Sequence, residues 1–290
     1  MSSVKKYWRV ILLMLLTSAN IFIWYAVKRE SPSHVVVVGF LNIGQGDAIY
    51  IESPTHNKIM IDGGPTSSVL NELTKVMPFY DRAIDTLLIT NPDADHYSGF
   101  IDILKSFSVK HIIEPGTHSD TARYKELEKN IVIKNIPKII ARRGMIIHLG
   151  GGADLEILFP DQDVSHFLSN DGSIVSKLMY GKTSVMLTGD APSKTEEYIL
   201  SLDTDNRNIK STILKEGHHG SRTSASELFI KAVSPAYDII SAGLKNRYNH
   251  PHKETIDLLE QLQIPTLITF ERGTIIATSD GTNFKIQTEK

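Results

Sequence analysis

Residues 10–27 carry no charged side chain, and beyond them the chain breaks into short apolar runs separated by polar turns. As a helix this stretch would extend about 27 Å, close to the roughly 30 Å hydrocarbon core of a bilayer. Trp8 at one end and Trp24 with Tyr25 at the other occupy the places of interfacial aromatics. A cleaved signal peptide is the rival reading, but its apolar core is typically shorter and ends in an A-x-A-like site, which Ala26-Val27-Lys28 is not. Residues 1–30 are therefore expected to form an amino-terminal membrane anchor with its flanks, and residues 31–290 a folded domain. Lys5, Lys6, Arg9 and the amino group slightly outweigh Lys28 and Arg29. That bias predicts a single-pass protein with its main domain outside the cytoplasm, the alternative being secretion after signal cleavage.

After Ser31-Pro32-Ser33, read as a short linker, the runs at 35–40, 48–52 and 58–62 predict antiparallel strands. From residue 85 the pattern changes: 86–90 is a short buried strand, a polar loop follows, and Phe100, Ile101, Ile103 and Leu104 have helical spacing. Further helices are predicted at 123–129, 193–200, 225–233 and 253–262, and strands at 145–148, 155–158, 211–214, 237–241 and 266–269. Segments 174–180 and 183–188 form a hairpin across Gly181-Lys182. No internal repeat or low-complexity linker divides residues 35–286, so two mixed sheets packed face to face, with helices outside, would place all of it in one α/β domain.

Composition narrows the chemistry. With 41% hydrophobic and 22% charged residues the chain is globular rather than disordered, and the absence of cysteine excludes disulfides, thiolate zinc sites and a cysteine nucleophile. Any metal must be held by imidazole and carboxylate. Beyond residue 30, 26 Lys and Arg face 32 Asp and Glu, which argues against indiscriminate binding of a phosphate backbone. Nucleic acid has to be argued from a site.

Five of the 11 histidines fall in three clusters: His96, the pair His218-His219, and His250 with His252. Asn91-Pro92-Asp93-Ala94-Asp95-His96 follows a predicted strand, as do Thr188-Gly189-Asp190 and Gly217-His218-His219-Gly220-Ser221. Strand ends are where α/β architectures place their sites. Three of them delivering Asp or His supply the oxygen and nitrogen ligands of a catalytic zinc-type ion with a position open for water. Taken alone, each segment reads equally as a capped helix start or a solvated turn. Gly44-Gln45-Gly46 lacks the third glycine of a dinucleotide fingerprint and Gly150-Gly151-Gly152 the ending of a P-loop; both read as turns.

The ordered motifs FLNIGQGDA (40–48), IDGG (61–64), DADH (93–96), TGD (188–190), GHHGS (217–221) and NHPH (249–252) resemble the metallo-β-lactamase superfamily. More closely, they are similar to the hydrolase-like domain of ComEC-type competence proteins, which take up DNA. The resemblance implies a four-layer αββα sandwich with a metal site at one edge. It implies that Asp95 and His96 hold an ion, that Asp190 ligates or bridges, and that His218 completes the sphere, with His219 competing for that role. Asp62 falls at the position of a supporting acidic residue, and His250 at that of a histidine acting as ligand or phosphate contact.

The superfamily's H-x-H-x-D-H has become Asn91-x-Asp93-x-Asp95-His96, so one well-made site is expected and a second that is weak, absent or rebuilt from Asp93 and His250. The ion is expected to be zinc, with manganese as the alternative. One such ion still permits hydrolysis, with Asp93 free to act as base or orient water, and Lys215, Ser221 and His250 as contacts to a phosphate. The expected activity is a metal-dependent phosphodiesterase or nuclease acting on DNA or another phosphodiester; a catalytically degenerate DNA-binding or assembly component is the alternative. ComEC-type proteins carry many membrane segments whereas this sequence has one, so either a separate membrane channel is its partner or the domain works independently.

Overall fold

Alternating side chains along the first strands set the architecture of the computed structural model, which describes residues 2–30, 33–78, 80–202 and 209–290. The amino-terminal helix α1 (Ser2–Glu30) has no buried residue among its described side chains, which excludes a core helix. Its segment Tyr7–Tyr25, with a mean hydropathy of 1.5, is long and apolar enough to cross a membrane. Of the predicted linker, residues 31 and 32 lie outside the described residues.

In β1 (Val36–Phe40), β2 (Ile49–Glu52) and β3 (Lys58–Ile61), the residues Val36, Val38, Phe40, Ile49, Ile51, Ile59 and Ile61 join one core. The intervening Tyr50 and Met60 join another on the opposite face. A strand with both faces buried belongs to an inner layer, and the period of two delivers its side chains to both. The chain continues through α2 (Ser68–Val76), β4 (Ala83–Leu88), α3 (Ala94–Tyr97), α4 (Phe100–Ser106), β5 (Ser108–Glu114), α5 (Ala122–Ile133), β6 (Lys138–Ile140), β7 (Ile146–Gly150) and β8 (Ala153–Phe159). It then forms β9 (Val175–Tyr180), β10 (Thr183–Leu187), α6 (Ser193–Ser201), β11 (Ile213–Lys215), α7 (Glu227–Val233) and β12 (Tyr237–Ile240). The last elements are α8 (Lys253–Gln261), β13 (Thr266–Ile268), α9 (Thr269–Arg272), β14 (Ile275–Ser279) and β15 (Phe284–Thr288).

Among the described residues the strands build two mixed sheets, ordered β15-β14-β1-β2-β3-β4-β5-β6 and β13-β12-β11-β10-β9-β8-β7. Phe40, Ile51 and Ile59 of the first meet Ile157, Leu178, Val185 and Ile239 of the second in the central core. The outer face of the first sheet is covered by α2, α4 and α5 through Leu73, Phe100, Leu104 and Leu127, that of the second by α6, α7 and α8 through Ile199, Phe229 and Leu259. The result is the αββα sandwich. β3, β4, β5 and β6 pair in parallel in one sheet, and β10, β11, β12 and β13 in the other, so their carboxyl ends collect along one edge.

The predicted hairpin turns at Gly181-Lys182 and the glycine run 150–152 are both present, the latter with positive φ at all three residues. The strand expected at 86–90 instead spans Ala83–Leu88, because the Thr90 amide leaves the ladder to bind a side chain. Seven helices and strands were not anticipated: α2, the short α3 and α9, β5, β6, β14 and β15. β5 starts with exposed Ser108, Lys110 and His111, β6 has only three residues, and β15 is half solvated, so none offers a clean apolar run.

Because Phe40 is fully buried between the sheets, Phe40→Ala is expected to lower the unfolding free energy by about 3–5 kcal/mol. Urea unfolding followed by circular dichroism measures the loss, and a value below about 1 kcal/mol would contradict the inter-sheet core.

Candidate metal centre

Every acidic or imidazole side chain at the sandwich edge arrives from a strand end or a loop pinned beside one. Asp62 follows β3 with φ 58°, and its carboxylate accepts the Thr90 amide (2.8 Å) and the Thr90 hydroxyl (2.6 Å). Its Oδ2 also lies 2.7 Å from His96 Nδ1. A carboxylate at that distance holds the ring proton on Nδ1 and leaves the Nε2 lone pair pointing away. Asp62 is completely buried and orients His96 from behind; its donor atom lies within 4.8 Å of those of His96 and Asp47, but it does not line the cavity.

His219 is arranged the same way from the other sheet. Its Nδ1 is 3.1 Å from the Ser241 carbonyl and 3.3 Å from Asp47 Oδ1, which again leaves Nε2 free as a lone-pair donor. That atom lies 3.4 Å from Asp95 Oδ2 and 3.7 Å from Asp190 Oδ1, while His96 Nε2 lies 3.0 Å from Asp190 Oδ2. For ligands about 2.1 Å from a tetrahedral ion the edge between two donors is about 3.4 Å, so these spacings suit a shared cation.

The buried polar atoms without a hydrogen-bond partner make the same point. They include His96 Nε2, His219 Nε2 and Asp190 Oδ1, all on the inner side of the cluster. His96 Nε2 and Asp190 Oδ2 are close yet not aligned as donor and acceptor. Buried polar atoms are rarely left unsatisfied, and here the unsatisfied ones converge. Asp95, His96 and His219 place one donor atom each within 4.8 Å of one another, and Asp47, Asp190 and His219 do likewise.

Electrostatics favours positive charge at this point. Burial opposes protonation of His219, but Asp190 and Asp47 override it and push the ring up to about 9. His96 is likewise raised well above its ordinary value, against burial, by Asp190 and Asp62. Burial would raise Asp190, but His96 and His219 hold it well below the usual carboxylate range. A field that draws a proton to Nε2 draws a metal cation to the same lone pair.

A cavity of about 220 Å³ opens beside the donors, lined by Gln45, Asp93, Asp95, Asp190, His218, His219, Tyr248 and His250. His218, a quarter exposed, has its Nε2 3.8 Å from Asp190 Oδ2 and its Nδ1 3.3 Å from the Thr223 hydroxyl, so it stands further out than His219. Asp93 accepts a hydrogen bond from the Ser169 hydroxyl (3.0 Å). Burial, then His219, His218 and His252, lowers His250 to about 4, so it is neutral near pH 7.

Asn91 is buried, and its Oδ1 accepts the Asp93 amide (2.9 Å), so it shapes the loop instead of lining the cavity. Two residues expected to touch a phosphate are placed elsewhere. Lys215 is fully buried, with Nζ 2.9 Å from Asp47 Oδ2 and donating to the Glu216 carbonyl at 2.8 Å, so it neutralises a carboxylate beneath the site. Ser221 is also buried; its hydroxyl accepts the Thr223 amide (3.3 Å) and lies 2.9 Å from the Thr223 hydroxyl, which makes it part of a turn.

Sequence reasoning gave no role to Asp47, Gln45 or Tyr248. Burial would raise Asp47, but Lys215 and His219 keep it at about 2, so it is a permanent anion behind His219. Its signal was available: Gly46, at φ 129°, lies so close to the next loop that a Cβ there would be 2.3 Å from the Asp95 carbonyl. The glycine turn presses Asp47 against the Asp93–His96 loop.

Comparison with known proteins agrees with this fold. Residues 41–244 match the Metallo-beta-lactamase superfamily. ComE operon protein 3 of Bacillus subtilis is 29% identical over 91% of this chain and 39% of its own length. Competence protein ComA of Neisseria gonorrhoeae is 27% identical over 76% of the chain and 29% of its own. The chain thus spans well under half the length of either relative. Among solved structures, the metallo-β-lactamase fold protein YhfI from Bacillus subtilis superposes with a TM-score of 0.56 at 11% identity, covering 84% of this chain and 99% of that one. With that span matched and the same layers present, this chain belongs to the metallo-β-lactamase superfamily.

Proposed function

We propose that the protein is a membrane-anchored, divalent-metal-dependent hydrolase that cleaves phosphodiesters, with DNA as the leading substrate. The observation that carries this reading is the convergence of unsatisfied, buried donor atoms of His96, His219 and Asp190 beside Asp95 at the wall of one cavity. Asp95, His96, Asp190 and His219 would hold the ion, zinc in this reading with manganese as the alternative, and His218 stands as the outer competitor. Such an ion supplies positive charge that acidifies a water and polarises an ester oxygen.

The remaining chemistry belongs to the chain. Asp93 lines the cavity, is fixed by Ser169, and takes the proton of the attacking water as that water's oxygen bonds to phosphorus. Neutral His250 offers a hydrogen bond to a non-bridging phosphoryl oxygen; it does not offer a charge. The leaving oxygen departs towards the open side and is protonated by solvent. DNA is preferred because relatives of this domain include a competence protein, and anchoring follows from the apolar helix Tyr7–Tyr25.

A second reading has one observation in its favour. Asn91, at the first histidine position of the superfamily motif, is committed to the backbone, which suits a degenerate domain that binds DNA or assembles with other proteins without turnover. The two readings separate cleanly in one assay. The full chain in detergent is expected to bind about one divalent ion and to cleave single-stranded DNA in a chelator-sensitive way. Chelator-insensitive binding without cleavage would select the degenerate form, and full activity in metal-free protein would falsify both the metal centre and the hydrolase.

Isothermal titration with zinc tests the ligand set. His219→Ala is expected to weaken binding by more than about 100-fold and Asp62→Ala, which frees the His96 ring and the Thr90 amide and hydroxyl, by about 10–100-fold. His218→Ala should cost less than either; the reverse order would transfer the ligand role to His218. Asp93→Asn is expected to retain the ion and lower kcat by about 10²–10⁴-fold, the usual contribution of a general base. An unchanged kcat would remove Asp93 from the mechanism.

A further inference from the structure

Next to the donor cavity lies a second cavity of about 440 Å³, lined by Gln45, Pro65, Ala94, Asp95, Asn246, Arg247 and Tyr248. The two share Gln45, Asp95 and Tyr248, so whatever fills one abuts what sits in the other. Apart from the Asp95 carboxylate at the shared wall and the Arg247 guanidinium, the second cavity offers an aromatic ring, a proline, an alanine and two amide side chains. A flat, weakly polar group fits against the ring, with the guanidinium placed for an anion beside it.

Tyr248 dominates this cavity. It is 44% exposed, its ring is stacked at 23° on His250 with centroids 5.6 Å apart, and the Arg247 guanidinium carbon lies 4.6 Å from its centroid. An exposed tyrosine is unremarkable on a loose loop, but this loop is pinned. The Asn246 amide donates to the carbonyls of Gly243 (2.9 Å) and His250 (2.5 Å), and its Oδ1 accepts the amides of Tyr248 (3.1 Å) and His250 (3.0 Å). The Gly243 amide in turn donates to Gln45 Oε1 at 3.1 Å. One buried-side asparagine thus fixes the bearing of an aromatic ring whose outer part stays in solvent.

We propose that Tyr248 and Arg247 form a stacking platform for the base of a single-stranded nucleic acid, adjoining the scissile phosphate. The base takes the face now covered by Arg247, whose exposed, flexible side chain then turns to the neighbouring phosphate. Stacking on a tyrosine suits any base and needs an unpaired one, so the platform selects single strands over duplex and has little sequence preference. The inference rests on the hydrolase reading for the position of the phosphate, but the stacking itself is a matter of binding.

Binding therefore tests it independently of cleavage. Fluorescence anisotropy with the full chain in detergent, zinc present, would compare a phosphorothioate single-stranded oligonucleotide, the matching duplex and an abasic strand of equal length. Tyr248→Ala should weaken the base-bearing strand by about 5–100-fold while leaving the abasic strand unaffected, and Tyr248→Phe should restore affinity. Arg247→Gln should reduce the slope of log affinity against log salt by about 0.7, one phosphate contact on a single strand. Equal loss on base-bearing and abasic strands, equal affinity of wild type and Tyr248→Ala, or preference for duplex would each overturn the platform. Tyrosine-dependent binding without cleavage by the wild type would leave the platform standing and remove the hydrolase reading.

Discussion

Buried negative charge at a dry sheet edge is the constraint around which this molecule is organised. Asp47, Asp62 and Asp190 are each at most 2% exposed, and burying three carboxylates together is prohibitive unless every one is matched. Lys215 answers Asp47, two groups of Thr90 with His96 answer Asp62, and His96 with His219 answer Asp190. Each imidazole is shared between a carboxylate behind it and a carboxylate in front. The arrangement leaves lone pairs inside and anchors outside, the layout that a cation site would need.

The two sheets contribute unequally to that balance. The first sheet supplies Asp47, Asp62, Asp95 and His96 from the β1–β2 connection and the ends of β3 and β4; the second supplies Asp190, Lys215 and the histidine pair from β10 and β11. Neither sheet alone supplies the whole donor set: Asp95 and His96 come from the first, Asp190 and His219 from the second. The Lys215–Asp47 and His219–Asp47 pairs cross from one sheet to the other, so closing the hydrophobic core and closing the site are one event.

Much of this was legible in the chain. Two packed sheets with helices outside followed from strand runs that alternate with amphipathic helices, and the clustering of Asp and His from their coincidence with strand ends; the αββα assignment and the residue roles came from the resemblance of the ordered motifs. What escaped did so for physical reasons. β5 and β15 hide in polar sequence because only part of each is buried. Lys215 at a strand end reads as solvated, since nothing local reveals that Asp47, 168 positions away, folds over it. Ser221 reads as a hydroxyl facing a ligand, although its partner Thr223 is two residues on. Burial and long-range pairing are properties of the assembled sandwich, and a motif indicates only which residues travel together.

The histidine pair has one more implication. His218 and His219 both sit in the left-handed region, at φ 48° and 58°, inside a turn bounded by Gly217 and Gly220. Branching at Cβ is absent, but each non-glycine residue there still costs about 1–2 kcal/mol relative to glycine. Glycine at position 218 would relieve that cost, whereas at position 219 it would also strip the buried Asp190 and Asp47 of a partner. The turn thus accepts backbone strain to hold two imidazoles side by side, one buried against Asp190 and one further out at the cavity.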